Sequence, residues 1–303
     1  MSAALVAASY LPLPWPFEFG YMQLALLAGL VVGGCAPLVG TFLVQKRLSL
    51  MGDGIGHLAF AGVAGGILAD IWPIWTALAA TVAGALFIEW LRKRSRSSGD
   101  LALALVFYVG IAGGSVLIGL AHSLNANLLS YLFGSILTVS PSDVAVVAVV
   151  GLLIVAVIAV AGRALFAVVL DEDAARVAGL PVDALNAALA VLTAVVVVAS
   201  MRVVGILLVS ALMVLPVGAA QAATRSFRQL LLTSAAFGAS AVIFGLVIAR
   251  AADTAPGGTI VLVAGAELLV TTLVSSRSQA SNRRGAHGTP RIGPEGRSDE
   301  AGS

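Results

Sequence analysis

Long apolar stretches separated by short polar breaks run along the chain, at about 21–45, 54–71, 73–91, 101–121, 143–166, 182–200, 203–223, 230–250 and 258–275. Each is close to the ~20 residues that carry a helix across a ~30 Å hydrocarbon core. Backbone polar groups cannot stay unpaired in lipid, so runs of this length read as helices. The pattern predicts an all-α, polytopic integral membrane protein with eight or nine spans. If the first two runs do not both cross, the count is eight and the amino terminus changes side. Leu128–Val139, between the fourth and fifth runs, is apolar but too short to span, and reads as a re-entrant or interfacial helix. Three regions follow. Residues 1–20 form an N-terminal segment, 21–275 the transmembrane domain, and 276–303 a tail rich in Ser, Arg, Gly and Pro that reads as disordered. Residues 1–20 carry no basic start, and Pro12, Pro14 and Pro16 interrupt any apolar signal core, so the first span is expected to direct its own insertion.

Composition agrees with the pattern. The chain is 59% hydrophobic and 11% charged, whereas a soluble domain carries roughly a quarter charged residues. A surface so poor in charge faces lipid, which excludes the classes of soluble enzyme. Cys35 is the single cysteine, so neither a disulfide framework nor a thiolate metal cluster is available. The net charge of +2 conceals an asymmetry. With nine spans and the amino terminus outside, 15 of the 17 lysines and arginines fall inside, and only Arg202 and Arg250 fall outside. This bias places the carboxy terminus in the cytoplasm of a cell membrane. Trp72 and Trp75 then mark the outer interface, and Trp90 the inner one.

Three glycine pairs spaced by four, Gly29–Gly33, Gly62–Gly66 and Gly110–Gly114, lie on single helix faces and predict close helix contacts. Pro216 interrupts the hydrogen bonding of the seventh span. Ionisable groups inside spans are costly and mark candidate functional positions. Asp53 and His57, four apart, share a helix face and suit a divalent transition metal, or else Asp53 caps the second span with His57 bonded to it. Asp171-Glu-Asp-Ala-Ala-Arg-Val-Ala-Gly-Leu-Pro181 has acids leading a short helix and a Gly-Leu-Pro stop, which fits either a solvated loop helix or a docking element. Glu267 lies near the middle of the last span, either as a protonated carboxyl bonded to a neighbouring Ser or Thr, or on a metal or proton path. The sequence has no phosphate-binding loop, potassium-type selectivity filter or regular arginine ladder.

Ser49-Leu-Met-Gly-Asp53 through His57, Asp171–Gly179 with Leu180-Pro181, Tyr131-Leu-Phe-Gly-Ser-Ile-Leu, and Val203 through Pro216 together resemble the ABC-type zinc/manganese/iron uptake permease family, over roughly residues 20–275. The resemblance implies ABC importer permease architecture and a transport subunit rather than an enzyme. It implies two cytoplasmic ATPase subunits, an external metal-binding protein, and a second permease protomer, with nucleic acid not an expected partner. Zinc is the favoured cargo, with manganese or iron(II) as alternatives, and no cofactor is permanently bound. Asp53 and His57 match the family's metal positions. Asp171, Glu172, Asp173, Ala174, Ala175, Gly179 and Pro181 fall on the segment that couples such permeases to their ATPases. Gly56 stands where the family usually has serine, Phe60-Ala61 replaces a frequent Leu-Pro, and Asp173 replaces Glu. One Asp and one His are too few ligands for a transition-metal dication, and His122 and His287 are expected outside the membrane. Two protomers in a homodimer would supply a four-ligand N2O2 set. Lys46 and Arg47 place Asp53 nearer the cytoplasmic side than a central gate needs, unless a bend lifts it. The competing readings are a permease for a siderophore or cobalamin-type substrate, which requires no Asp-x-x-x-His pair, and an ion-coupled secondary carrier or channel using Glu267.

Overall fold

A computed structural model describes residues 15–94, 99–121, 126–135 and 139–286. His122, His287, the N-terminal segment as far as residue 14, and residues 287–303 lie outside the described residues. Eleven helices and no strand are present among the described residues: α1 (Gly20–Gln45), α2 (Met51–Leu68), α3 (Pro73–Arg94), α4 (Gly99–Ala121), α5 (Ala126–Phe133), α6 (Pro141–Leu170), α7 (Glu172–Val177), α8 (Val182–Ser200), α9 (Ile206–Ala223), α10 (Phe227–Ala252) and α11 (Pro256–Ala286). Eight of them, all but α5, α7 and α9, are long and apolar enough to cross a membrane. The chain is thus a multi-pass membrane protein. The seventh expected span, 203–223, is represented by the 18-residue α9, which is not among these eight.

Helix boundaries follow local chemistry. Ser140 and Asp143 form a capping box at the start of α6 with Pro141 in the first turn. Ser226 accepts from the Gln229 amide to start α10. At the end of α1 the Leu48 amide donates to the Leu43 carbonyl and the Arg47 amide to that of Val44, with Arg47 at φ 59°. This is a Schellman turn. It lets α2 begin at Met51, three residues before the start at 54 expected from the sequence. α11 continues to Ala286, and its span-length apolar part is Pro256–Ser276.

In lipid no hydrophobic force drives apolar helices together, so close backbone approach does that work. All three glycine pairs lie at helix contacts. Gly33 meets Gly238 of α10, Gly62 meets Ala77 of α3, and Gly110 of α4 meets the backbone of His57. A Cβ added at Gly110 would come within 2.8 Å of the His57 carbonyl carbon. The tightly buried centre is built by α1, α2, α8 and α9, through residues such as Phe42, Ile55, Val197 and Met213. Apolar side chains on the outer helices, such as Val160 on α6 and Leu101 on α4, point away from the bundle, as a lipid-facing surface requires.

Charges separate between the two ends. Lys46, Arg47, Arg92 and Arg225 line a cavity of about 690 Å3 at one end, with Glu172 as its only acid. Trp72, Trp75, Asp143 and Arg202 line another cavity, of about 420 Å3, at the opposite end. The short helix α5 also lies at that second end. It stops at Gly134 (φ 74°), and the Ser135 amide donates to the Arg202 carbonyl. The unwound stretch 201–205 before α9 ends in Gly205 (φ 94°), which packs against Phe133 and Gly134. A side chain at Gly205 would be strained by the backbone and would strike α5.

Candidate functional site

Asp53 is the third residue of α2, and the cap position is held by Leu50 with no side-chain bond. The capping alternative therefore does not describe this residue. No hydrogen bond joins Asp53 to His57. The Asp53 carboxylate instead leaves its own helix and accepts from the Ser210 hydroxyl of α9. The close approach has a simple cause. Gly52 and Gly56 give α2 a face without side chains, against which Ser210 and Ile206 of α9 rest. Asp53 sits at the edge of that face, and the His57 ring stands edge-on to Phe107 of α4 with centroids 4.5 Å apart. The carboxylate and imidazole are thus one helical turn apart, lying between α9 and α4.

The pair takes the alternative that the sequence left open, a bend after Lys46 and Arg47. Gly52 lies beside Ser210 and Gly56 beside Ile206, in the first turns of α9. From Ser210 α9 continues for 13 residues to Ala223, about 20 Å at 1.5 Å per residue. The α1–α2 turn is therefore recessed into the bundle, and the Asp53–His57 pair lies well inside it. Among the described residues no group of three or more His, Cys, Asp or Glu side chains could hold a metal.

The acidic segment folds as expected of its sequence. The Asp171 carboxylate accepts from the amides of Asp173 and Ala174, each at 2.9 Å, and caps α7. Gly179 takes φ 83° and closes the helix with a Schellman turn, its amide on the Arg176 carbonyl and that of Leu180 on the Ala175 carbonyl. Ala175 faces inward against Val168 and Val182, and Pro181 caps α8. The opposite side of α7 is free: Val177 is 90% exposed and the Asp173 side chain 97%. Ala174 is exposed too.

Glu172 points the other way, into the bundle. Its carboxylate lies 2.7 Å from the Lys46 ammonium and 3.8 Å from Arg92, and accepts from the Asn186 amide. Partial burial pushes its pKa up, but the bond to Lys46, the two nearby cations and Asn186 outweigh that and hold the carboxyl below its usual range. Sequence reasoning did not pick out Lys46, Asn186 or Ser210. Lys46 read only as a topology charge, and the other two sit singly in apolar runs where spacing gives no sign of a partner.

Glu267 accepts from the Ser240 hydroxyl of α10 at 2.6 Å, the kind of neighbouring-helix bond expected of a buried carboxyl. Its second oxygen is buried without a partner among the described residues.

The bundle has lipid-facing outer helices, ionisable residues at depth, and a short helix, α7, with an exposed face at its basic end. A sequence profile described as the ABC 3 transport family matches residues 18–275. This chain belongs to that family, as the resemblance of its motifs implied. It is a membrane transport subunit, and the ATPase of such systems is a separate subunit. It is 31% identical to a manganese transport system membrane protein of Listeria innocua, over 82% of this chain and 88% of that one. It is 26% identical to a high-affinity zinc uptake system membrane protein of Haemophilus influenzae, over 78% of this chain and 91% of that one. Its fold matches a solved structure of PsaBC from Streptococcus pneumoniae in complex with Fab, with TM-score 0.78 and 29% identity, covering 94% of this chain and all of that one.

Proposed function

We propose that this chain is the permease of an ATP-driven importer that carries Mn2+ or Zn2+ across the cell membrane between two copies of itself. The observation that carries this reading is the incomplete pair: an Asp and a His one turn apart, deep in the bundle, with no third ligand in reach among the described residues. Four or so ligands are needed for a transition-metal dication, and a two-fold partner supplies Asp53 and His57 a second time. The resulting N2O2 set has no thiolate, which suits an ion that must also be released. The affinity order of such ligands favours zinc, while the Listeria relative is named for manganese, so both ions are candidate cargo. Ser210 holds one oxygen of each Asp53 and leaves the other to face the ion. The basic end is cytoplasmic, together with the carboxy terminus, and the free face of α7 docks on the ATPase. An external binding protein delivers the ion to the opposite end.

The test is reconstitution of the permease with its ATPase subunits in liposomes. Asp53→Ala and His57→Ala should each abolish uptake of both metals while the complex still assembles and hydrolyses ATP. Uptake near the normal rate by either variant would show that the ion takes another path.

A further inference from the structure

We propose that Lys46 is a positioning residue that links the docking helix α7 to the metal-binding helix α2. This deepens the reading given above and rests on it.

Lys46 is the C-terminal cap of α1, and its side chain is 4% exposed. Its ammonium has two partners, the Glu172 carboxylate of α7 at 2.7 Å and the Asn186 side-chain oxygen of α8 at 2.5 Å. The Asn186 amide in turn donates to the same Glu172 oxygen, so the three groups close on one another. The Lys46 side chain is 4% exposed and that of Glu172 36%, so it is the ammonium, rather than the carboxylate, that depends on this contact for a partner. Any displacement of α7 must therefore either draw Lys46 along or leave a buried ammonium without its counter-charge.

The other polar contacts of α7 do not provide this link. Asp171 caps α7 itself, and Arg176 reaches only Asp173 and Asp183 on the surface. Arg92 approaches Glu172 at 3.8 Å but is engaged by Glu89 of its own helix at 2.7 Å. Lys46 is thus the contact that ties α7 to the α1–α2 connection.

From Lys46 the path to the metal pair is short and has no slack. Residues 47–50 form a closed turn, with Arg47 bonded to Val44, Leu48 to Leu43 and Met51 to Leu48. Leu48 is buried, which anchors the turn in the core. The Gly54 amide then bonds to the Leu50 carbonyl in the first turn of α2, which carries Asp53. A pull on Lys46 moves the start of α2 as a unit, and with it the carboxylate that rests on Ser210.

The experiment measures metal moved per ATP hydrolysed, in liposomes containing the permease with its ATPase subunits. Lys46→Met keeps the length of the side chain and removes its charge. Glu172→Gln keeps an acceptor and removes the counter-charge. Each should lower the ratio at least about tenfold, with ATPase subunits still co-purifying and ATP hydrolysis within about twofold of normal. The double variant should be no worse than either single one, because both remove the same contact. Lys46→Arg, which retains the charge, should keep the ratio within about threefold. A normal ratio for Lys46→Met, or a double variant whose loss is the product of the two single losses, overturns the proposal. So does loss of the ATPase subunits from both single variants, which would make the contact a staple and nothing more. Gly179→Val separates the two levels of the argument. If it uncouples while Lys46→Met does not, α7 docks and the link fails; if neither uncouples, the docking role of α7 fails with it.

Discussion

Replacing Gly179 by Asn, Ala and Val separates backbone conformation from packing at the end of α7. Gly179 sits at φ 83°, and a Cβ built there meets no atom within 4 Å. Steric clash therefore contributes nothing, and the whole effect is the cost of holding an L-residue in the left-handed region. That cost is roughly 1–2 kcal/mol, and the β-branched Val lies at or above its upper end. Loss of unfolded-chain entropy returns part of it for Ala, roughly 0.4–1 kcal/mol. The net expectation is about 1 kcal/mol for Ala and about 2 kcal/mol for Val. At 1.4 kcal/mol per factor of ten, Val depletes the closed turn about thirtyfold. The molecule stays folded, since global stability is of the order of 5–15 kcal/mol, and the loss falls on the six-residue α7. Asn tolerates the left-handed region and should behave nearly as Gly. Metal uptake per ATP in liposomes should therefore fall in the order Gly, Asn, Ala, Val, with permease yield unchanged. Normal coupling in Gly179→Val would refute the reasoning, because the turn would then be irrelevant to the ATPase. A collapse in yield for Val but not Asn would place the turn in folding instead.

Two further expectations follow from the ends of the bundle. A cysteine at Ser281, in a background with Cys35→Ala, should resist an impermeant thiol reagent in intact cells and react after lysis; reaction in intact cells would invert the orientation and put α7 outside. At the opposite end, Arg202 Nη1 donates to both oxygens of Asp143 at 3.1 and 2.9 Å, with the Arg side chain 26% and the Asp side chain 14% exposed. Asp143→Asn keeps the capping oxygen but loses the charge, and should lower stability by roughly 2 kcal/mol, the usual worth of a hydrogen bond to a charged group. Thermal unfolding in detergent checks this, and an unchanged midpoint would mean that the pair is fully screened.

Much of this protein is legible along the chain because it is written locally. Apolar runs of spanning length fix the helices, since lipid offers the backbone no other partner. Segregated Lys and Arg identify the two ends. The acids of Asp171–Asp173, Gly179 and Pro181 announce a short capped helix, and the φ of 83° at Gly179 is what a glycine at that position predicts. Spacing alone put Asp53 and His57 on one face. The start of α2 was misjudged because its boundary depends on a Schellman turn with Arg47, a residue that gives no glycine signal. Depth was left open for a related reason: sequence measures distance along the chain, while the recessed turn sets Asp53 beside Ser210 in α9. The partners that matter most are also distant in sequence. Ser210 is 157 residues from Asp53, and Asn186 is 140 from Lys46. A lone serine, asparagine or lysine has many possible partners, and only the packing of α1, α2, α8 and α9 decides which one it meets. The sequence therefore determined what kind of molecule this is and where its charges had to go, while tertiary packing decided that Asp53 meets Ser210 and that Lys46 meets Glu172 and Asn186.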